Sequence, residues 1–210
     1  MSGSTIVILG ALALLIGLVF VAERGPVSAK DLALVATVAA AAAAGRVLFA
    51  AIPSVKPVTT ICLVAGAALG ARSGAVIGAG AALLSNAFLG QGPWTPPQML
   101  LWAVVGASGA LLVPAVRHPW ALAAISAVWG FLFGWGMNLW QLAVYGPEVS
   151  PRAFWLASGR SIWFDTAGAV GNVVFSLAIG AALWRLLSRY SARIHAEIVW
   201  EEPARGAAGR

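Results

Sequence analysis

Apolar residues along this chain gather into seven runs, at 6–21, 32–52, 58–71, 74–89, 99–116, 120–145 and 161–187, with short polar or proline-rich breaks between them. A straight membrane span needs roughly 20 residues, with about 17 as the lower limit. The pattern therefore predicts an all-α fold, a polytopic transmembrane helical bundle forming one domain. The third run is the short one, closed in by Pro57 and Arg72. It reads either as a crossing or as a short helix protected inside the bundle.

Charge orders these runs. If all seven cross with the N-terminus outside, the cytoplasmic segments hold Arg24, Lys30, Arg72, Arg117, Arg185, Arg189, Arg193, Arg205 and Arg210. Only Lys56, Arg152 and Arg160 remain external, with Arg46 inside the second run near its outer end. That asymmetry matches the positive-inside rule, and turning the third run back would weaken it. The expectation is seven crossings of a cell membrane, with an external N-terminus and a cytoplasmic C-terminus. Residues 1–24 then form an extra N-terminal span, 25–192 the main bundle, and 193–210 a cytoplasmic tail whose end, PARGAAGR, reads as disordered. Two external breaks, GQGPWTPP at 90–97 and GPEVSPRAFWLASGR at 146–160, carry prolines and glycines that argue against continuous regular helix.

Composition agrees with the pattern. The 210 residues are 60% hydrophobic and 10% charged, where a soluble domain carries about 25% charged residues. Lipid must be the solvent for most of the surface. The net charge of +6 has its source in the same sidedness, and no basic stripe suited to nucleic acid is evident. Cys62, the single cysteine, can form no internal disulfide and reads as a small buried hydrophobe.

Small residues recur at four-residue spacing: Ala36, Ala40 and Ala44; Gly66, Gly70, Gly74 and Gly78; Gly130 and Gly134. Such faces let helices approach closely. Internal packing is the expected use of the glycines, while the alanine face suits either packing or a dock for another membrane protein. Polar groups inside apolar runs are costly and gather around cavities. Arg46, Asn86, Gln98, Asn138, Gln141, Arg160, Asp165 and Asn172 fall mostly toward the outer ends of the runs. Gln91 and Trp94 sit in the segment above them, with Trp102, Trp140 and Trp163 near the same level. Together they predict a pocket open to the outside, with aromatic walls and orienting amides. The alternative is an aromatic belt with helix–helix hydrogen bonds. Asp165, the acid inside a span, points to Arg46 as its basic partner, with Arg160 second.

Catalysis finds no support. VGASGAL at 105–111 contains a Gly-Ala-Ser-Gly of the kind around rhomboid nucleophiles, but Ser108 would need a base. The two histidines, His118 and His195, lie outside the runs. There is no metal-ligand spacing, Walker loop or paired-carboxylate motif, so no catalytic residue, metal or cofactor is expected. Any uphill transport would draw its energy from a partner.

Residues 45–106 (GRVLFAAIPSVKPVTTICLVAGAALGARSGAVIGAGAALLSNAFLGQGPWTPPQMLLWAVVG) resemble the S components of energy-coupling factor (ECF) transporters. The resemblance rests on Arg46 before Pro53, Lys56 and Pro57, on the glycine-rich helix pair, on Ser85 and Asn86, and on the Gly-Gln-Gly-Pro-Trp-Thr-Pro that follows. It covers about a third of the chain. It implies a six-span core that captures a vitamin-like solute outside the bacterial cell. That core docks on a coupling membrane subunit driven by two cytoplasmic ATPases, through an alanine face here matched by Ala36, Ala40 and Ala44. The substrate-binding set expected on this reading is Arg46, Lys56, Asn86, Gln91, Trp94, Gln98, Trp102, Asn138, Gln141, Arg160 and Asp165. The subgroup with this loop looks like those linked to cobalamin or other corrinoids, which the resemblance puts first. Ten tryptophans suit such a large flat ligand, and would suit riboflavin or another vitamin next. The run at 6–21 is a departure from six spans. A membrane scaffold or sensor that transports nothing is the alternative.

Overall fold

The computed structural model describes residues 28–146 and 148–206, with isolated helical positions between 4 and 17. The expected first span, 6–21, and the last residues of the tail therefore lie largely outside the described residues. The elements are α1 (Ala29–Leu48), α2 (Val58–Leu69), α3 (Ala71–Leu89), α4 (Thr95–Gly109), the single turn α5 (Val113–Val116), α6 (Pro119–Tyr145), α7 (Pro151–Arg160) and α8 (Ile162–Phe175). A π-helical turn, Ser176–Gly180, joins α8 to α9 (Ala181–Gly206). No strand occurs among the described residues, so the all-α expectation holds. The tail is helical through Gly206, beyond the point at which disorder was expected.

Among the described residues, three rods are long and apolar enough to cross a membrane: Ala29–Leu48, Pro119–Tyr145 and the continuous Ile162–Arg193. Exposed Leu32, Phe88, Leu111, Val128, Val170 and Val174 show how much apolar surface the bundle turns outward. Helix α2 differs. Its 12 residues extend about 18 Å, well short of a hydrocarbon core of about 30 Å. Val58 to Gly66 are all buried, and α1, α3, α4, α6 and α9 pack around it. The short run is thus a helix enclosed by its neighbours.

Glycines set how close this centre can pack. Gly70, at φ +89°, makes the one-residue turn between α2 and α3, a conformation that favours glycine. Beyond it Gly66, Gly74 and Gly106 bring three backbones together. A Cβ on Gly66 would overlap the Gly106 carbonyl, and one on Gly106 would overlap that of Gly74. Gly78 meets the Trp102 backbone in the same way, and Gly130 and Gly134 meet Ala169 and Asp165 on α8. The glycine faces are internal. Ala36, Ala40 and Ala44 are exposed, opposite the buried face of Val38, Ala39, Ala42, Ala43 and Arg46.

Neither 90–97 nor 148–160 is continuous helix, as expected, and proline marks where helices begin. α4, α5, α6 and α7 each carry proline in their first two positions, where the missing N–H would have had no intrahelical partner. The segment 146–160 is accordingly not all irregular. Ser150 caps α7 by accepting from the Ala153 N–H at 3.2 Å, and Pro151 opens ten helical residues.

Candidate functional site

At one end of the bundle the segment 49–57 and the neighbouring helix ends line a cavity of about 340 Å³. Arg46 reaches it from the last turn of α1, and Ser54 and Lys56 from the segment that follows. Helix α2 contributes Val58 and Thr59, and α4 contributes Gln98 and Trp102. The far wall comes from α6, with Phe133, Gly134, Met137, Asn138 and Gln141, and from Ser161, Phe164, Asp165, Gly168 and Asn172 on α8 and its approach. A surface depression of about 440 Å³ shares Asn138, Gln141 and Ser161 with the cavity and adds Arg160.

Arg46 is the centre of the polar wall. It is 6% exposed, and its Nη1 donates to Ser85 Oγ at 2.6 Å and Asn86 Oδ1 at 2.5 Å. Its Nη2 donates to Gln98 Oε1 at 3.2 Å. Because guanidinium only donates, the amide oxygens of Asn86 and Gln98 must face it, which fixes where their NH₂ groups point. Asn86 Nδ2 then donates to Thr95 Oγ1 at 3.0 Å and to Gln98 Oε1 at 2.9 Å. Thr95 Oγ1 donates to Gln91 Oε1 at 2.8 Å, and Gln91 Nε2 ties the chain back to Leu83 O at 3.1 Å. The Ser-Asn and Gly-Gln-Gly-Pro-Trp-Thr stretches thus build a relay of neutral groups whose far end holds the arginine.

Two donors in this wall have no partner. Arg46 Nε and Trp102 Nε1 are buried without a hydrogen bond. The Trp102 ring stacks on Phe133, centroids 4.6 Å apart and planes 27° from parallel, and the Arg46 guanidinium carbon lies 4.9 Å from the Trp102 ring centre. Burial, and secondarily the Arg46 charge, hold the Lys56 ammonium below its ordinary range, so the two cations are close enough to oppose each other. Ser54, which also lines the cavity, has φ 63°. For a residue with a side chain that conformation costs about 1–3 kcal/mol and clusters at binding sites. Below the cavity, Asn172 Nδ2 donates to Ser126 O at 2.9 Å, and Ser176 Oγ joins Ser126 Oγ at 2.8 Å and Thr60 Oγ1 at 3.0 Å.

Of the residues expected to bind substrate, Arg46, Lys56, Gln98, Trp102, Asn138, Gln141 and Asp165 line the cavity. Asn86 lies behind it and orients Arg46, and Arg160 lines the adjoining depression. Gln91 and Trp94 are not in the lining. Gln91 is spent on the loop's own hydrogen bonds, and Trp94 folds its ring over Gly92 with Nε1 donating to Gly90 O at 3.3 Å. Trp140 braces that loop by donating to Pro93 O at 2.9 Å, while Trp163 is 83% exposed, as a belt residue would be. The anticipated Asp165–Arg46 ion pair is absent among the described residues. Asp165 accepts from Ser161 Oγ at 2.8 Å and presses on the α6 backbone at Gly134, whereas Arg46 is committed to α3 and α4. Ser54, Phe133, Met137 and Phe164 were not foreseen. Their types are ordinary in membrane helices and connecting segments, and nothing local marks them as lining a cavity.

A larger groove of about 920 Å³ runs between α1 and α9. It faces outward and is mainly apolar, as lipid-facing clefts are. The fold and the enclosed site together define a helical bundle of membrane type with a small polar chamber near one end. No protein-family model matches the chain, and no curated protein or solved structure matches it.

Proposed function

We propose that this protein is the substrate-binding subunit of an ECF-type importer, capturing a vitamin-like solute and handing it to a coupling module. The observation that carries the reading is the cavity: about 340 Å³, inside the range of about 300–1,000 Å³ typical of small-molecule sites, and walled by buried donors that lack partners. A scaffold has no use for such a chamber. Its volume favours a compact vitamin over a corrinoid, which is several times larger. Six rods, α1, α2, α3, α4, α6 and the α8–α9 rod, make up the core on this reading, and the cavity end faces outward. A cysteine placed at Ser4 should then be labelled from outside the cell and one at Ala207 should not. The reverse pattern would invert the orientation.

The exposed Ala36, Ala40 and Ala44 supply the docking face. Being turned away from the core, they can change without disturbing the cavity. Ala40→Leu or Ala44→Leu should therefore leave the melting temperature and solute retention near wild type, yet cut co-purification with a co-expressed coupling subunit at least severalfold. A large side chain there holds the partner helix away. Unchanged co-purification in both variants would remove docking from this face.

A further inference from the structure

We infer that the solute held in this cavity is a monoanion, a small carboxylic acid whose carboxylate sits among Arg46, Lys56 and Trp102 and whose remainder offers a hydrogen-bond donor toward Asp165. The inference rests on the importer reading and gives it a substrate class.

Buried polar groups in folded proteins are almost always hydrogen-bonded, and buried charges are paired. Arg46 breaks both rules. Every acceptor it has, on Ser85, Asn86 and Gln98, is neutral, and its Nε has none. The side chain is more than nine-tenths buried and lines the cavity. Trp102, equally buried and stacked under the same guanidinium, leaves its Nε1–H without a partner. Lys56 adds a second cation to the lining, again with no ion pair among the described residues. These three groups only donate, and what they lack in common is an acceptor carrying negative charge.

The count of charges narrows the acceptor. Arg46 and Lys56 give +2, Asp165 gives −1 when ionised, and no other acid among the described residues lines the cavity. A net +1 matches a carboxylate. A phosphate monoester, at about −1.5 to −2 near neutral pH, would exceed it. Asp165 meets neither cation, so it remains available to accept from an N–H or O–H elsewhere on the ligand. Between the two poles, Phe133 and Phe164 offer apolar walls for a flat or aliphatic middle.

The full-length protein, purified in mild detergent, is denatured and the released small molecules are separated on an anion exchanger and identified by mass. The same protein, stripped, is titrated by tryptophan fluorescence with matched acids and amides, nicotinate against nicotinamide and biotin against biotinamide. The expected result is a released carboxylic acid, or preference for the acid in any pair that binds. Lys56→Gln should reduce loading or affinity at least tenfold, and Lys56→Arg should retain most of it. Lys56 lies in a connecting segment and is only half-buried, so both variants should fold. A released molecule without an acid group, a preference for amides, or equal binding by Lys56→Gln overturns the anion and leaves the importer standing. No released molecule together with no response to any probe overturns both.

Discussion

Gly106→Val is expected to unfold the bundle, lowering stability by more than about 3 kcal/mol. A Cβ at this position would overlap the Gly74 carbonyl and approach the Ala75 nitrogen at 3.1 Å. Overpacking against side chains costs about 1–3 kcal/mol because side chains move. Here the obstacle is backbone on a helix that cannot retreat, since α2 lies on its other side with Gly66 against Gly106 O. Against a total stability of about 5–15 kcal/mol, such a loss is decisive. The molecule supplies its own reporter. Cys62 is the single cysteine and is fully buried in α2, so a thiol-reactive fluorophore lights up only as the centre opens. Heating in detergent should expose Cys62 at a far lower temperature in Gly106→Val than in wild type. Gly159→Ala, with nothing within 4 Å of the added carbon, should melt at or slightly above it. Equal melting of Gly106→Val and wild type would mean that the three backbones do not meet as described.

Much of this was legible in the chain, for reasons that differ by feature. Long apolar runs and internal glycines are dictated by lipid as solvent. The run between Pro57 and Arg72 is visibly short in the chain, and charge alone counted it as a crossing. Polar residues inside apolar runs are costly enough that finding Arg46, Gln98, Asn138 and Asp165 around one chamber needed no structure. What the chain withheld is pairing. Arg46 and Asp165 are each conspicuous, and opposite charge made them natural partners. Nothing in sequence says that Ser85, Asn86 and Gln98 would claim the guanidinium first. The effect of proline likewise depends on position: at 151 it opens a helix that Ser150 caps.

The tryptophans carry the clearest case, and the prediction of largest functional effect. Trp94, in the proline-rich loop, and Trp102, inside an apolar run, were both expected to bind substrate. The structure separates them: Trp94 is 43% exposed and folded over its own loop, while Trp102 is 5% exposed in the cavity wall. Trp102→Phe keeps an aromatic face against Phe133 and removes only the Nε1–H and part of the ring. In the empty protein two effects oppose each other. The smaller ring leaves a void, and the change also deletes a buried donor that has no partner, whose desolvation costs about 1–3 kcal/mol. Stability should stay within about 1 kcal/mol of wild type. With ligand present there is no such offset, because the donor that the ligand would satisfy is gone. Affinity should fall at least about tenfold, or about 1.4 kcal/mol. Trp102→Ala should lose both, with about 3–5 kcal/mol of stability gone, as for other buried tryptophans truncated to alanine. Trp94→Ala should leave affinity within a factor of a few. Melting followed at Cys62, and displacement of any solute that co-purifies with the protein, separate the two quantities. A Trp102→Phe protein that binds as tightly as wild type would mean that the orphaned indole donor is not part of the binding site.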